Sequence, residues 1–212
     1  MSSIALAKTL QNVQVLPVLT VTNPDQAVQL CQALYKGGIN AVEITLRTAA
    51  GLESLAVVKR ELPEVVVAAG TVCNAEQVAA VKEAGVDFGV SPASTPALLH
   101  AINEAELPFI PGVATPSEAM YAAECGFNHL KLFPATAVGG LKLLKSIAAP
   151  LPELGFCPTG GLNQDNFLEF LNLPNVYCVG GSWMVNSADL NAGNWQAITD
   201  AAQKVTDAIA QQ

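Results

Sequence analysis

The sequence is poor in charge. Only 13% of its 212 residues are Asp, Glu, Lys or Arg, against 51% hydrophobic. Much of the chain must therefore lie away from water, as in a sheet covered on both faces, and disorder is excluded. Long apolar runs are missing too: stretches such as 65–69 or 130–133 stop well short of the roughly 18 residues a membrane helix needs. The N-terminus MSSIALAKTLQ lacks a basic flank followed by an apolar stretch and a small-residue cleavage site, so export is not expected and a cytoplasmic location is. Cys31, Cys73, Cys125, Cys157 and Cys178 form no CxxC or zinc-type spacing; they read as reduced core thiols. Basic residues are outnumbered 10 to 18, for a net charge of −8, which disfavours nucleic acid and anionic membranes as partners. Arginine occurs only as Arg47 and Arg60, so an anionic small molecule needs a local positive site.

What the chain does have is alternation. Short β-branched or apolar runs recur near Val15, Val42, Val66, Phe88, Phe109, Leu130, Phe156 and Tyr177. Most are followed by segments with helical apolar spacing, among them Asp25 to Tyr35, Ala75 to Ala84, Ser117 to Cys125 and Asn163 to Leu171. Asn23-Pro24, Thr95-Pro96 and Thr115-Pro116 place a capping side chain before a proline suited to a first helical turn, and Gly37, Gly85 and Gly126 mark exits. An open doubly wound sheet would share this alternation, but eight units without a GxGxxG fingerprint favour a closed (β/α)8 barrel, with Ser2 to Gln11 as an N-terminal helix. No linker or charge block divides residues 1–212, so one catalytic barrel domain is expected. Its chemistry should sit at the C-terminal ends of the strands.

The sixth run reads HLKLFP, and period-two alternation puts Leu130 and Leu132 against helices while His129, Lys131 and Phe133 face inward. A buried ammonium either pairs with a carboxylate or gives up its proton, and the second outcome makes a nucleophile. The alternative is a lysine whose stem lines the core while its head reaches solvent. In the second run, AVEITLR, Glu43, Thr45 and Arg47 share the inward face. Glu43 and Arg47 could be a fold-fixing ion pair. Functionally, Arg47 at a strand end suits a bidentate grip on a 2-oxo acid carboxylate, and Glu43 deeper in the wall suits proton exchange at an imine carbon. Thr71, given the inward parity of Ala69, adds a hydroxyl to the carboxylate site. The seventh and eighth runs end in CPTGG and VGGSWM. There Thr159, Gly160, Gly161, Gly181 and Ser182 could hold a phosphate through backbone N–H groups, unless the glycines serve only tight turns. His129 reads as a core histidine and His100 as a helix-surface residue. With Glu43 the only inward acid at a strand end, no metal and no other cofactor is expected.

Two segments, GINAVEITLR (38–47) and GFNHLKLFPATAVGG (126–140), together with GTV at 70–72, SP at 91–92 and TGG at 159–161, resemble the signature segments of KDPG/KHG aldolases, along nearly the whole chain. The resemblance implies a class I lyase of the Entner–Doudoroff pathway. It would cleave 2-dehydro-3-deoxy-6-phosphogluconate to pyruvate and glyceraldehyde 3-phosphate, and the same chemistry, which some members of the family carry out, would cleave 4-hydroxy-2-oxoglutarate to pyruvate and glyoxylate. It assigns Lys131 to the imine and Glu43 to acid/base work by way of a water. Arg47 and Thr71 fall to the pyruvate carboxylate, Pro92 and Phe133 to packing around the imine, and the 159–161 and 181–182 segments to phosphate. It also implies a homotrimer, and the hydroxyl of Thr159 points to the gluconate epimer. Two other readings stay open: an isomerase or synthase in which Lys131 is a general acid without a covalent intermediate, and a non-catalytic barrel that senses a phosphosugar acid.

Overall fold

A computed structural model describes residues 2–212, with side-chain surroundings from Leu6 onward. Helix α1 (Ser2–Leu10) leads into β1 (Val15–Leu19), α2 (Pro24–Lys36), β2 (Ala41–Thr45), α3 (Gly51–Glu61), β3 (Val66–Gly70) and α4 (Ala75–Glu83). The alternation continues through β4 (Phe88–Val90), α5 (Pro96–Ala105), β5 (Phe109–Ile110), β6 (Gly112–Val113), α6 (Pro116–Glu124), β7 (His129–Leu132) and α7 (Gly140–Ala148). It closes with β8 (Gly155–Pro158), α8 (Phe167–Leu171), β9 (Val179–Gly181), α9 (Ser187–Ala192) and α10 (Trp195–Ala210). Asn23, Thr95 and Thr115 all cap helices as their position before proline predicts, and Thr115 forms a full capping box with Glu118.

Every strand pair is parallel, in a sheet of six ordered β5-β4-β3-β2-β1-β9 and a sheet of three ordered β6-β7-β8. The architecture is thus an α/β fold on a curled parallel sheet. Three expectations shift. The fifth run is split into β5 and β6 at Pro111, whose ring leaves no N–H for the ladder. The last strand begins at Val179, beyond Tyr177. Helix α8 is shorter than the apolar spacing suggests, because the Asn163 and Asn166 side chains accept from Asp165 N and Asn163 N at 2.9 Å each and hold a turn in its place.

Side-chain alternation builds two apolar layers. On the outer face Val15, Val42, Ile44, Val67, Ala69, Leu130, Leu132, Phe156 and Val179 meet the helices. On the inner face Leu16, Ala41, Ala68, Phe88, Val90, Ile110, Cys157 and Cys178 pack together, and Leu6, Leu10 and Val13 join them from the N-terminal side. Helix α1 thereby seals the inner layer at the N-terminal ends of the strands. Complete burial of each aliphatic side chain contributes about 1.5–3 kcal/mol. Among the described residues no helix is long and apolar enough to cross a membrane.

Candidate active site

Register brings the chemistry together. Val18, Glu43, Ala68 and Phe88 lie side by side across β1 to β4, and Gly112, Lys131 and Cys157 across β6 to β8. Within the inner face, Lys131 Nζ donates to both carboxylate oxygens of Glu43, at 3.0 and 3.1 Å. The two residues are 3% and 1% exposed. The amine is therefore neither a snorkelling group nor a lone amine stripped of its proton by apolar surroundings: it meets a carboxylate. Nor does Glu43 pair with Arg47. The guanidinium lies farther toward the strand end, in solvent, and among the described residues no carboxylate pairs with it. Breaking a buried ion pair from one side typically costs about 3–5 kcal/mol, so each member holds the other in place.

The room for this pair comes from β3. Gly70 is the register partner of Thr45, and a Cβ there would collide with the Glu43 carboxylate. Beneath the pair the surroundings are uncharged. Burial pushes the Cys178 thiol and the Tyr177 hydroxyl well up from their ordinary ranges, so both keep their protons. Tyr177 donates to the Leu130 carbonyl at 3.3 Å.

Arg47 Nε donates to Thr71 Oγ1 at 3.1 Å, bringing two candidate carboxylate contacts together. Strand parity does not place Thr71 there. Ala69 belongs to the outer layer and Gly70 to the inner face, so continuing the pleat would turn Thr71 outward. Its φ of +62° breaks the alternation and returns the hydroxyl to Arg47. The ring of Phe133 lies over the amine, 5.6 Å from Lys131 Nζ to its centroid. Pro92 stands at the end of β4, its backbone against Gly112.

On the far wall, Gly160 and Gly161 have φ of +98° and +83°, a region that favours glycine. Gly161 is exposed at the rim of this wall, and the chain at Gly160 is tied to β9 by the parallel bridge from Thr159 to Gly180. Thr159 is enclosed: its hydroxyl donates to the Cys157 carbonyl at 3.4 Å and lies against Gly180. Ser182 is exposed beyond Gly181. His129 stays outside the site, its ring edge-on to Tyr177 at 5.1 Å, and His100 is on the surface beside Glu104. Among the described residues no three His, Cys, Asp or Glu side chains gather to hold a metal ion. Cys31, Cys157 and Cys178 are buried, whereas Cys73 is exposed just past Thr71, contrary to the reading of it as a core thiol. Sequence reasoning missed Gly70, Tyr177 and Thr20. The last could have been noticed as the one hydroxyl within the apolar PVLTV run.

An amine locked against a carboxylate, with an arginine above it at the C-terminal ends of parallel strands, is equipment for carbonyl chemistry on an anionic substrate. The model of the KDPG and KHG aldolase family matches residues 6–201, and the chain belongs to that family. It is 45% identical over 190 residues to the 2-dehydro-3-deoxy-phosphogluconate aldolase of Pseudoalteromonas atlantica, covering 90% of this chain and 88% of that one. The KHG/KDPG aldolase of Escherichia coli K12 is 42% identical over 193 residues, 91% of each chain. Among solved structures, KDPG aldolase from Legionella pneumophila, with pyruvate captured at low pH as a covalent carbinolamine intermediate, superposes with a TM-score of 0.90 at 41% identity. It covers 93% of this chain and 96% of that one.

Proposed function

We propose that this chain is a class I aldolase that cleaves 2-dehydro-3-deoxy-6-phosphogluconate to pyruvate and glyceraldehyde 3-phosphate, with 4-hydroxy-2-oxoglutarate as a second substrate. The observation that carries the reading is the buried Lys131–Glu43 pair. When a ketone enters, an ammonium proton passes along that contact to Glu43, and the freed amine attacks C2. Glu43 hands that proton to the former carbonyl oxygen, which takes a second from the nitrogen and leaves as water, giving a protonated imine and a free carboxylate. Glu43 removes the C4 hydroxyl proton, the C3–C4 bond breaks, and its electron pair flows into the imine to give an enamine while the aldehyde leaves. Glu43 returns a proton to C3, and water hydrolyses the imine to release pyruvate. One carboxylate serves both transfers because they are sequential.

In this reading Arg47 and Thr71 hold the carboxylate, while Phe133 and Pro92 shield the imine. Gly160, Gly161, Gly181 and Ser182 receive the phosphate through amides and a hydroxyl, which suits a chain of net charge −8. Thr159 at the edge of that site favours the gluconate epimer. We read residues 1–212 as a single closed (β/α)8 barrel domain. Two facts support closure: β6 follows β5 after Pro111 alone, and a parallel bridge from Thr159 to Gly180 links β8 to β9. A homotrimer is the assembly we propose, and exposed Met120 and Tyr121 on α6 offer it apolar surface. Unpaired cysteines suit a cytoplasmic setting.

The test is pyruvate release from the phosphorylated substrate by wild type and Lys131→Met. Steady turnover abolished in the variant supports catalysis at this lysine. A chain that binds the substrate without turnover is a sensor, and one in which Lys131→Met keeps full activity works by other chemistry.

A further inference from the structure

Thr20 stands immediately beyond β1, exposed, in a cavity of about 240 Å³ that it lines with Val18, Arg47, Ser182 and Val185. Val18 on this wall is the register partner of Glu43 on the next strand, while Leu19, Leu30 and Leu190 close the cavity on the helix side. Arg47 and Ser182 lie at the carboxylate and phosphate ends of the site described above. Thr20 therefore shares a cavity with Arg47 and Ser182, the candidate contacts for the two ends of the substrate.

The polarity of its hydroxyl is fixed by its neighbour. Thr45, fully buried, spends its single hydroxyl proton on the Leu19 carbonyl at 2.9 Å. In the 3.3 Å contact between Thr20 Oγ1 and Thr45 Oγ1, Thr20 is thus the donor. That leaves Thr20 with oxygen lone pairs facing the cavity and no proton to give, which makes it an acceptor for a substrate hydroxyl. Resting on the aldolase reading, the candidates are few: the C4 hydroxyl gives its proton to Glu43, and the C5 hydroxyl is the other one between C1 and the phosphate.

We propose that Thr20 is a specificity-determining residue that accepts a hydrogen bond from the C5 hydroxyl, held in the accepting state by the Leu19–Thr45–Thr20 chain. The contact discriminates between the two substrates, because 4-hydroxy-2-oxoglutarate carries a carboxylate at C5 and no hydroxyl there. A site built to pair a hydroxyl loses most on the substrate that has one.

The experiment compares kcat/KM on both substrates for wild type, Thr20→Val and Thr20→Ser. Thr20→Val keeps the shape and removes the acceptor. It is expected to lower kcat/KM about tenfold on the phosphorylated substrate and less than threefold on 4-hydroxy-2-oxoglutarate, with Thr20→Ser restoring most of the loss. Equal losses on both substrates, no loss on either, or failure of serine to restore activity each overturn the assignment. Imine trapping with pyruvate on the same variant separates the two levels of the argument, since pyruvate lacks C5. Trapping should be unchanged by Thr20→Val, whereas absence of trapping in wild type brings down the aldolase reading and this assignment with it.

Discussion

At the scale of single residues, the central pair divides the labour between covalent and proton-transfer steps. Glu43→Gln keeps size and hydrogen bonding but cannot shuttle protons. It should lower kcat by about 10²–10⁴-fold and slow imine formation less, so that Lys131 still accumulates a reducible imine with pyruvate on longer incubation. Comparing steady-state rate with trapped fraction measures this, and equal loss of both would place Glu43 in imine formation alone. Lys131, Glu43 and Arg47 were legible in the sequence because a polar side chain recurring at period two on an apolar strand has only the inner face to occupy. Their pairing was not legible. Lys131 and Glu43 lie 88 residues apart in sequence, and which acid meets which base depends on how the two sheets curl. Thr71 was given the right partner by the wrong route, since a positive φ in a non-glycine residue leaves no trace in a pattern of hydrophobicity.

Among the elements, β3 matters by what it omits. Its run VVAAG ends in small residues on the face that meets Glu43, and Gly70 in particular leaves space for the carboxylate. Gly70→Ala should fold with a modest loss of stability, about 1–3 kcal/mol by overpacking, yet lose at least tenfold in kcat because the carboxylate must move away from Lys131. Thermal unfolding and turnover on the same preparation check it; full activity in the variant would show that the spacing is not needed. Strand and helix order was readable from apolar period and capping signals. Boundaries were less so, because Pro111 and the Asn163–Asn166 turn interrupt elements through backbone hydrogen bonds rather than through hydrophobicity.

Taken as a whole molecule, the chain sets one exposed arginine with its threonine against a net charge of −8, which concentrates anion recognition at the strand ends. The N-terminal end of the inner layer answers to pH through His129, whose pKa burial lowers. The folded state therefore binds the proton less readily than the unfolded chain, so stability is full above the unfolded value near ~6.5 and declines as pH falls from there toward the lower folded value. Melting temperature should drop between pH 7.5 and 5.5, and His129→Gln should flatten that drop; an unchanged slope would assign the pH response elsewhere. The account as a whole rests on a covalent bond at one lysine. Borohydride reduction in the presence of pyruvate, read by peptide mass, tests it most directly: the account predicts a reduced pyruvate adduct on Lys131, and no adduct, or one on Lys142 or Lys145 instead, would contradict it.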